Sequence, residues 1–244
     1  MPLVRADYLA GTRHPWACVL FVLPLLAAYE TGLLLLGPTQ RDTCRNGADI
    51  WLRNLLQEAG LKQWFWAPAL LLGTLLAWSW LRRGNRPREW LSLWLGMGLE
   101  SIVFALGLWG VCHGLFPLLE RAGLQVAGGS DLDPAVLQIL SFVGAGIYEE
   151  TLFRLLLLSA LAWVARQAEL EEAGTRTLAI LLSSLLFSLA HHIGTQGEVF
   201  QAPVFLFRAL AGLYFALLYQ FRGFGIAVGA HAGYDVLVGL LLEV

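Results

Sequence analysis

The sequence predicts an all-α protein, a polytopic membrane helix bundle of seven to eight transmembrane helices that forms one integral membrane domain over residues 1–244. Three observations predict this fold class. The chain is 57% hydrophobic and only 14% charged, whereas soluble domains carry about 25% charged residues. Apolar stretches recur along it that approach the ~20 residues a helix needs to cross a bilayer. The sequence has no alternating apolar and polar pattern of the kind that transmembrane barrels require.

The candidate spans follow one another along the chain. The first runs from about residue 15 to 36, and no small-x-small cleavage site follows it, so we interpret it as a retained span and not as a signal peptide. The stretch 134–166 is long enough for one strongly tilted helix or for two broken ones. The other spans are predicted at about 63–81, 90–118, 178–193, 203–221 and 225–242.

The segment near 45–62 differs from the spans because apolar and charged residues alternate at helical spacing. This pattern predicts an amphipathic helix on the membrane surface, and a short soluble helix that caps the bundle explains it equally well. We therefore divide the chain into N-terminal spans over 1–133, which include this segment, and a helix core over 134–244. The alternating residues are Ile50, Leu52, Arg53, Leu55, Leu56, Gln57, Glu58 and Leu61.

The arginines predict the orientation of the chain. Four of them fall within residues 82–88, and the positive-inside rule places this loop in the cytoplasm. The N-terminus then lies inside and the acidic segment 119–133 outside. If 134–166 crosses once, seven spans and an outside C-terminus result. We expect a multi-pass integral membrane protein, in the inner membrane if the source is bacterial.

Composition also limits the partners. The net charge of −2 gives no indication of nucleic-acid binding, and the three cysteines show no CxxC spacing. Neither a disulfide framework nor a zinc–thiolate site is therefore predicted. The lipid bilayer is the partner that the composition does indicate.

Two acids and an arginine lie inside an apolar stretch, at Glu149, Glu150 and Arg154. A charge at the bilayer centre costs about 2.5–3.5 kcal/mol on insertion scales, so intramembrane charges usually serve a function. Glu150 and Arg154 are four residues apart, the spacing of a helical ion pair that neutralises itself. Glu149 lies about 100° around the helix from Glu150 and has no such local partner. Glu149 is therefore the best candidate for a general base.

Imidazoles follow in two later apolar segments. His191 ends one of them and would supply the polar partner that Glu149 lacks, whereas we expect His192 to be structural. His231 and Asp235 are also four residues apart and share a helix face. Small residues surround them, which favours a helix packed inside the protein. An interhelical hydrogen-bonded pair is the alternative interpretation of His231 and Asp235.

Together these spacings resemble a known family. They match the CPBP family of intramembrane proteases, which includes the type II CAAX prenyl endopeptidases and the Abi or bacteriocin-immunity proteins. The resemblance covers about residues 134–244, and residues 1–133 share only the membrane-spanning character. The patterns E-E-x-x-x-R, F-x-x-x-H and H-x-x-x-[N/D] are met in the family's order by Glu149, Glu150 and Arg154, by Phe187 and His191, and by His231 and Asp235.

The resemblance implies an endopeptidase that acts on a membrane-associated protein or peptide, whether a prenylated tail, a bacteriocin leader or a sorting tail. By this resemblance, Glu149 and His191 activate a water molecule, and Glu150 and Arg154 support the geometry. His231 and residue 235 stabilise the oxyanion. Better-understood members carry Asn at that last position. Because an ionised Asp235 would repel an oxyanion, we expect it either to be protonated or, preferably, to orient His231.

The same residues are compatible with a mechanism with or without a bound metal ion. Glu149, His191 and His231 could hold zinc with one open position. However, HExxH is absent, and a Glu–His pair can activate water unaided. We predict a glutamic-type peptidase without a cofactor, with a zinc metalloprotease as the alternative.

Two other functions compete with the peptidase. The polar cluster would also suit an ion or proton relay in a transporter or channel, although the sequence has no inverted repeat of the transporter kind. A non-catalytic immunity or scaffold protein is the third possibility.

Overall fold

The structure is a computed structural model that describes residues 8–85, 89–121, 135–194 and 197–241, and these residues form helices with no strand among them. A short helical stretch at 8–12 precedes the longer helices. The α-helices are α1 (Pro15–Leu35), α2 (Pro38–Cys44), α3 (Gly47–Glu58), α4 (Trp66–Leu81), α5 (Trp90–Arg121), α6 (Ala135–Glu150), α7 (Ser159–Gln167), α8 (Glu172–Ala190), α9 (Ala202–Arg222) and α10 (Phe224–Val236). A π-helical segment, Thr151–Leu158, joins α6 to α7, and a second, Leu237–Leu241, follows α10.

Four of these helices are long and apolar enough to cross a membrane: α1, α5 over Trp90–Gly114, α8 and α9. The prediction of an all-α fold with membrane-spanning helices is therefore confirmed. The predicted count of seven to eight spans is not confirmed, because α4 and the helix Phe224–Leu240 are apolar but shorter than a full span. Of the predicted loops 82–88 and 119–133, residues 86–88 and 122–133 lie outside the described residues.

The stretch predicted as one tilted helix or two broken ones forms a continuous helical path from α6 through the π-helical segment to α7. The change from α- to π-helical hydrogen bonding follows directly after Glu150. π-Helical turns are rare and occur often at functional sites. Arg154 lies within the wider turns, whereas Glu149 and Glu150 lie in the α-helical turn before them.

Helix α10 packs in the interior, as its small residues predict. It contacts α1, α5, α6 and α9. At Gly146 of α6, a Cβ atom would stand 2.8 Å from the backbone nitrogen of Ala232 and 2.9 Å from the carbonyl oxygen of Val228. The backbones of α6 and α10 therefore touch directly, as small residues allow. This close approach places the carboxylates at the end of α6 beside His231.

Helix α3 is attached to the bundle by a buried charged network centred on Arg53. The Arg53 guanidinium donates to Asp49 at 2.5 Å, to Glu30 of α1 at 2.7 Å and to the Tyr148 hydroxyl of α6 at 3.2 Å. The Tyr29 hydroxyl of α1 donates to Asp49 at 2.9 Å. Helix α3 is thus fixed to α1 and α6 by bonds to charged groups, which are stronger than neutral hydrogen bonds.

A second interhelical ion pair involves Glu100, another acid within an apolar run. Glu100 of α5 accepts hydrogen bonds from Arg222 of α9 at 2.7 Å and from the Tyr8 hydroxyl at 2.8 Å. Glu30 and Glu100 therefore each bind an arginine from another helix.

Replacing Tyr29 by Phe tests the attachment of α3. We expect the free energy of unfolding to fall by about 1.5–3 kcal/mol, because the variant leaves a buried carboxylate of Asp49 without one of its donors. Denaturant titration in mixed micelles would measure the change. Tyr214→Phe is the matched control, since that hydroxyl donates only to the neutral Phe104 carbonyl at 2.8 Å. An equal or larger loss in the control would contradict the role of the network.

Candidate active site

Glu149 lies where three helices meet. It occupies the last turn of α6, and only 11% of its side chain is exposed. Its Oε2 atom is 3.8 Å from Nε2 of His191, at the end of α8, and 3.7 Å from Nε2 of His231 in α10. These separations exceed hydrogen-bond length, and a polar gap of this size is one that a water molecule can bridge.

The imidazole of His191 has a defined orientation. His191 is the C-cap residue of α8, and its Nδ1 lies 2.9 Å from the carbonyl oxygen of Phe187. A carbonyl oxygen only accepts, so Nδ1 carries the proton in this bond. In the neutral ring, Nε2 then has its lone pair free and faces Glu149. This is the tautomer that can accept a proton from water.

His231 is held from the opposite side by a carboxylate. Its Nδ1 donates to Oε1 of Glu150 at 2.8 Å. The ring stacks on Phe215 of α9 at a centroid distance of 4.4 Å, with an angle of 11° between the planes. It also makes a T-shaped contact with the ring of Phe187, at a centroid distance of 6.1 Å. The hydrogen bond and the two aromatic rings fix the imidazole so that Nε2 faces Glu149.

Glu150 and Arg154 form the buried ion pair that their spacing predicts. Nε of Arg154 lies 3.2 Å from Oε2 of Glu150, and neither side chain is more than 1% exposed. The contact is an ion pair without the alignment of a hydrogen bond. The guanidinium also lies 4.4 Å from the centroid of the Phe187 ring and donates to the carbonyl oxygen of Gly212 at 3.0 Å. Glu150 therefore links Arg154 to His231.

Asp235 does not make the bond that we expected of it. Its Oδ2 atom is 3.6 Å from Nε2 of His231, beyond hydrogen-bond length. The ring is oriented instead by the hydrogen bond that its Nδ1 donates to Glu150. The reason is geometric, since Nδ1 points across to α6 while Asp235, on the same helix as His231, lies on the Nε2 side. All six residues singled out in the sequence thus lie together, with Asp235 on the Nε2 side of His231.

A cleft of about 100 Å³ leads to Glu149 and His191. A water molecule requires about 10–15 Å³ of such space, so the cleft holds several waters or part of a peptide. Helix α3 forms one wall, and the end of α8 with the segment after it forms the other. The lining residues are Gly47, Ala48, Ile50, Trp51, Glu149, Phe153, Ala190, His191, Ile193 and Glu198.

Sequence reasoning missed several of these residues. The sequence of α3 has only a general amphipathic pattern, and such a pattern does not indicate contact with Glu149, about 100 residues further along the chain. Phe187 was part of a motif but had no role assigned, although its ring touches both imidazoles and Arg154. Phe215 had no sequence signal of any kind.

Glu198 connects the cleft to α9. Its backbone N–H donates to the carbonyl oxygen of His191 at 2.9 Å, and its carboxylate accepts two hydrogen bonds from Arg208 at 2.7 and 2.8 Å. These hydrogen bonds lower the pKa of Glu198 below its usual value. His192 lies apart from the cluster, against Phe200 and Phe205, as expected of a structural residue.

Arg208→Gln tests whether this ion pair helps to position His191. We expect a reduction in peptide cleavage of about two- to fivefold, the effect of a partly exposed pair worth up to ~1 kcal/mol. Because the pKa of Glu198 is lowered, its carboxylate stays ionised until the pH falls below the usual value of about 4.3. The reduction should therefore be equal at about pH 6 and about pH 8.

Arg176→Gln is the matched control for this variant. Arg176 pairs with Glu172 at the opposite end of α8, and both side chains are exposed. The control should cleave at the wild-type rate. An Arg208→Gln variant with wild-type activity, or one whose defect appears only at the higher pH, would contradict a role for the pair.

Within the part of the chain that the structure describes, no group of three or more His, Cys, Asp or Glu side chains is arranged to hold a metal ion. Zinc held by Glu149, His191 and His231 stays the alternative to a glutamic-type mechanism.

The comparisons with known proteins agree with the motifs. Residues 131–237 match the family model described as "Type II CAAX prenyl endopeptidase Rce1-like". The C-terminal half of the chain is similar to the Rce1-like family. This match confirms the resemblance inferred from the three motifs. No curated protein and no solved structure matches the chain. The match to this family of membrane proteases and the four apolar helices both fit an integral membrane protein.

Proposed function

We propose that the chain is an intramembrane endopeptidase that hydrolyses a peptide bond in the tail or leader of a membrane-associated protein. The observation that carries the proposal is the convergence of Glu149, His191 and His231, from three helices, at the base of a cleft. A carboxylate and two imidazoles whose Nε2 atoms face it are a set suited to proton transfer. The match to the Rce1-like family supports the same reaction class.

The first chemical step is the attack of water. Glu149 and His191 hold a water molecule between Oε2 and Nε2, and one of the two takes its proton. The water oxygen forms a bond to the carbonyl carbon, whose π electrons move to the carbonyl oxygen. The carbon–nitrogen bond then breaks, and the proton passes to the leaving amine. The products are a carboxylic acid and an amine, so atoms and electrons balance without a further reactant.

His231 serves the oxyanion in this proposal. Its Nδ1–H is committed to Glu150, so it can donate from Nε2 only as the imidazolium ion. Glu149, Glu150 and Asp235 lie 2.8–3.7 Å from the ring nitrogens, and their negative charges favour that cation. A cationic donor aimed at the developing oxyanion lowers the barrier through electrostatic stabilisation.

Asp235→Asn tests the role of the unusual acid in this site. Because Asp235 makes no hydrogen bond to His231, the substitution should leave the ring in place. It removes a charge that repels the oxyanion, and Glu149 and Glu150 still supply the negative charge that favours the imidazolium ion. The Asn amide also adds a donor. We expect kcat/KM equal to or above the wild-type value at neutral pH, measured on purified protein. A loss of more than about tenfold would instead show that the carboxylate itself is required.

The cellular test compares His191→Ala with the wild type in a host that expresses the full chain. Mass spectrometry of the membrane proteome would identify new protein termini. We expect new termini with the wild type and none with His191→Ala. His113→Ala is the control, because that imidazole is exposed and stacks on Trp109 of its own helix. Identical termini in wild type and His191→Ala would contradict the peptidase proposal.

A further inference from the structure

The cleft wall opposite the end of α8 comes from α3, which lies outside the residues that match the Rce1-like family. The proposed catalytic groups all lie within the matched region. The first turn of α3 therefore adds a surface that the family match does not describe. Since the cleft is the approach to Glu149, side chains on this wall meet whatever is bound there.

The α3 wall leaves open space at the Cβ position of Gly47. This glycine is the first residue of α3, it is half-buried and it lines the cleft. A Cβ atom built at Gly47 would have no protein atom within 4 Å. A half-buried position with free space at its Cβ faces a recess, and the recess at this position is the cleft. A side chain added at 47 would therefore begin in open space and extend into the cleft.

The cleft that Gly47 lines has a polar part and an apolar part. Glu149, His191 and Glu198 form the polar part. The apolar part includes Ala48 and Ile50, which continue the α3 wall, together with Phe153 and Ile193. The apolar part favours an apolar substrate side chain over a polar one, because a polar group there would lose water without gaining hydrogen bonds. The recess thus has the chemistry of a pocket for an apolar side chain.

The α3 wall lies close to the segment after α8 and is bonded to α1 and α6. The indole Nε1 of Trp51 lies 3.5 Å from the Cβ position of Gly194, in the segment after α8. Gly194 has a φ of +95°, a conformation that glycine adopts without strain. Two residues further on, Arg53 fixes α3 to α1 and α6. A wall fixed in this way selects by size, since it cannot move aside for a larger group.

We propose that Gly47 determines substrate specificity: the recess it leaves accepts an apolar substrate side chain next to the scissile bond, and the size of residue 47 limits the size of that side chain. This inference rests on the proposed peptidase function. It assigns the choice of substrate to α3, whereas the bond-breaking groups lie in α6, α8 and α10.

Three variants of the full-length protein test this proposal. Gly47→Ala and Gly47→Leu fill the recess in two steps. Gly174→Leu is the matched control, because Gly174 also lies in the first turn of a helix with no atom within 4 Å of its Cβ position. It is about 25 Å along α8 from His191. Each purified protein is incubated in micelles with a peptide library randomised at every position, and mass spectrometry identifies the cleavage sites.

We expect the wild type to cleave next to both small and large apolar residues. Gly47→Leu should cut peptides with Leu or Phe at one flanking position about tenfold less or lower, which is the range that pocket fit provides, and should still cut those with Ala. Gly47→Ala should show a smaller shift in the same direction. Gly174→Leu should reproduce the wild-type profile.

Two results would overturn the inference while leaving the peptidase proposal standing. One is an active Gly47→Leu variant with the wild-type profile. The other is an equal loss for small and large residues at an unchanged Tm. If Gly47→Leu fails to fold, an unaltered profile for Gly47→Ala decides against the inference. A wild-type protein that cleaves no peptide in the library or in cells would instead contradict the proposed function itself.

Discussion

Glu149→Gln is expected to reduce kcat for peptide cleavage by about 10²–10⁴-fold, the contribution of a general base. The amide keeps the size of the side chain but cannot take a proton from water. Among the described residues, the polar contacts of the Glu149 side chain are the two imidazoles at 3.7–3.8 Å, beyond hydrogen-bond length. The substitution therefore breaks no hydrogen bond there, and the fold should be unaffected. Kinetics on purified protein, together with its Tm, would measure both effects.

Glu58→Gln is the control for that experiment. Glu58 is an exposed residue at the end of α3, so the same chemical change should leave kcat unchanged. Glu149→Gln with at least a tenth of the wild-type kcat would show that another group activates the water.

Arg154→Met is expected to lower the free energy of unfolding by about 3–5 kcal/mol, the usual result of removing one partner of a buried ion pair. The variant leaves Glu150 charged and buried, and it also removes the hydrogen bond to Gly212. Activity should fall with stability, because Glu150 holds His231. Denaturant unfolding in mixed micelles and cleavage kinetics would record the two losses.

The double variant Glu150→Gln/Arg154→Met separates charge from packing. Removing both charges avoids the unpaired carboxylate, so the double variant should be more stable than Arg154→Met by about 1–4 kcal/mol. The Gln amide oxygen can still accept from Nδ1 of His231. A double variant that is less stable than Arg154→Met would contradict this account of the pair.

The spacing of residues along the chain predicted which side chains share a helix face. Glu150 and Arg154 pair as their four-residue separation indicates, and the interior position of α10 follows from its small residues. Helical periodicity assigns faces in this way because it depends only on neighbours in the chain. The three motifs also predicted which segments would carry the polar groups.

Contacts between helices were not predictable in the same way. The bond from His231 to Glu150 joins residues 81 positions apart, and it depends on the direct backbone approach of α6 and α10 at Gly146. The sequence therefore assigned the orientation of His231 to Asp235, its nearest acid in the chain. The contribution of Trp51 and its neighbours to the cleft likewise depends on how Arg53 holds α3, which no local pattern specifies.

The central claim is that Glu149 and His191 activate water without a metal ion, and the metal content of the active enzyme tests it most directly. Purified wild-type protein would be dialysed against a chelator, analysed for zinc and assayed for peptide cleavage. We predict far less than one zinc ion per chain and unchanged activity after chelation. Stoichiometric zinc, with activity that chelation abolishes and added zinc restores, would contradict the claim.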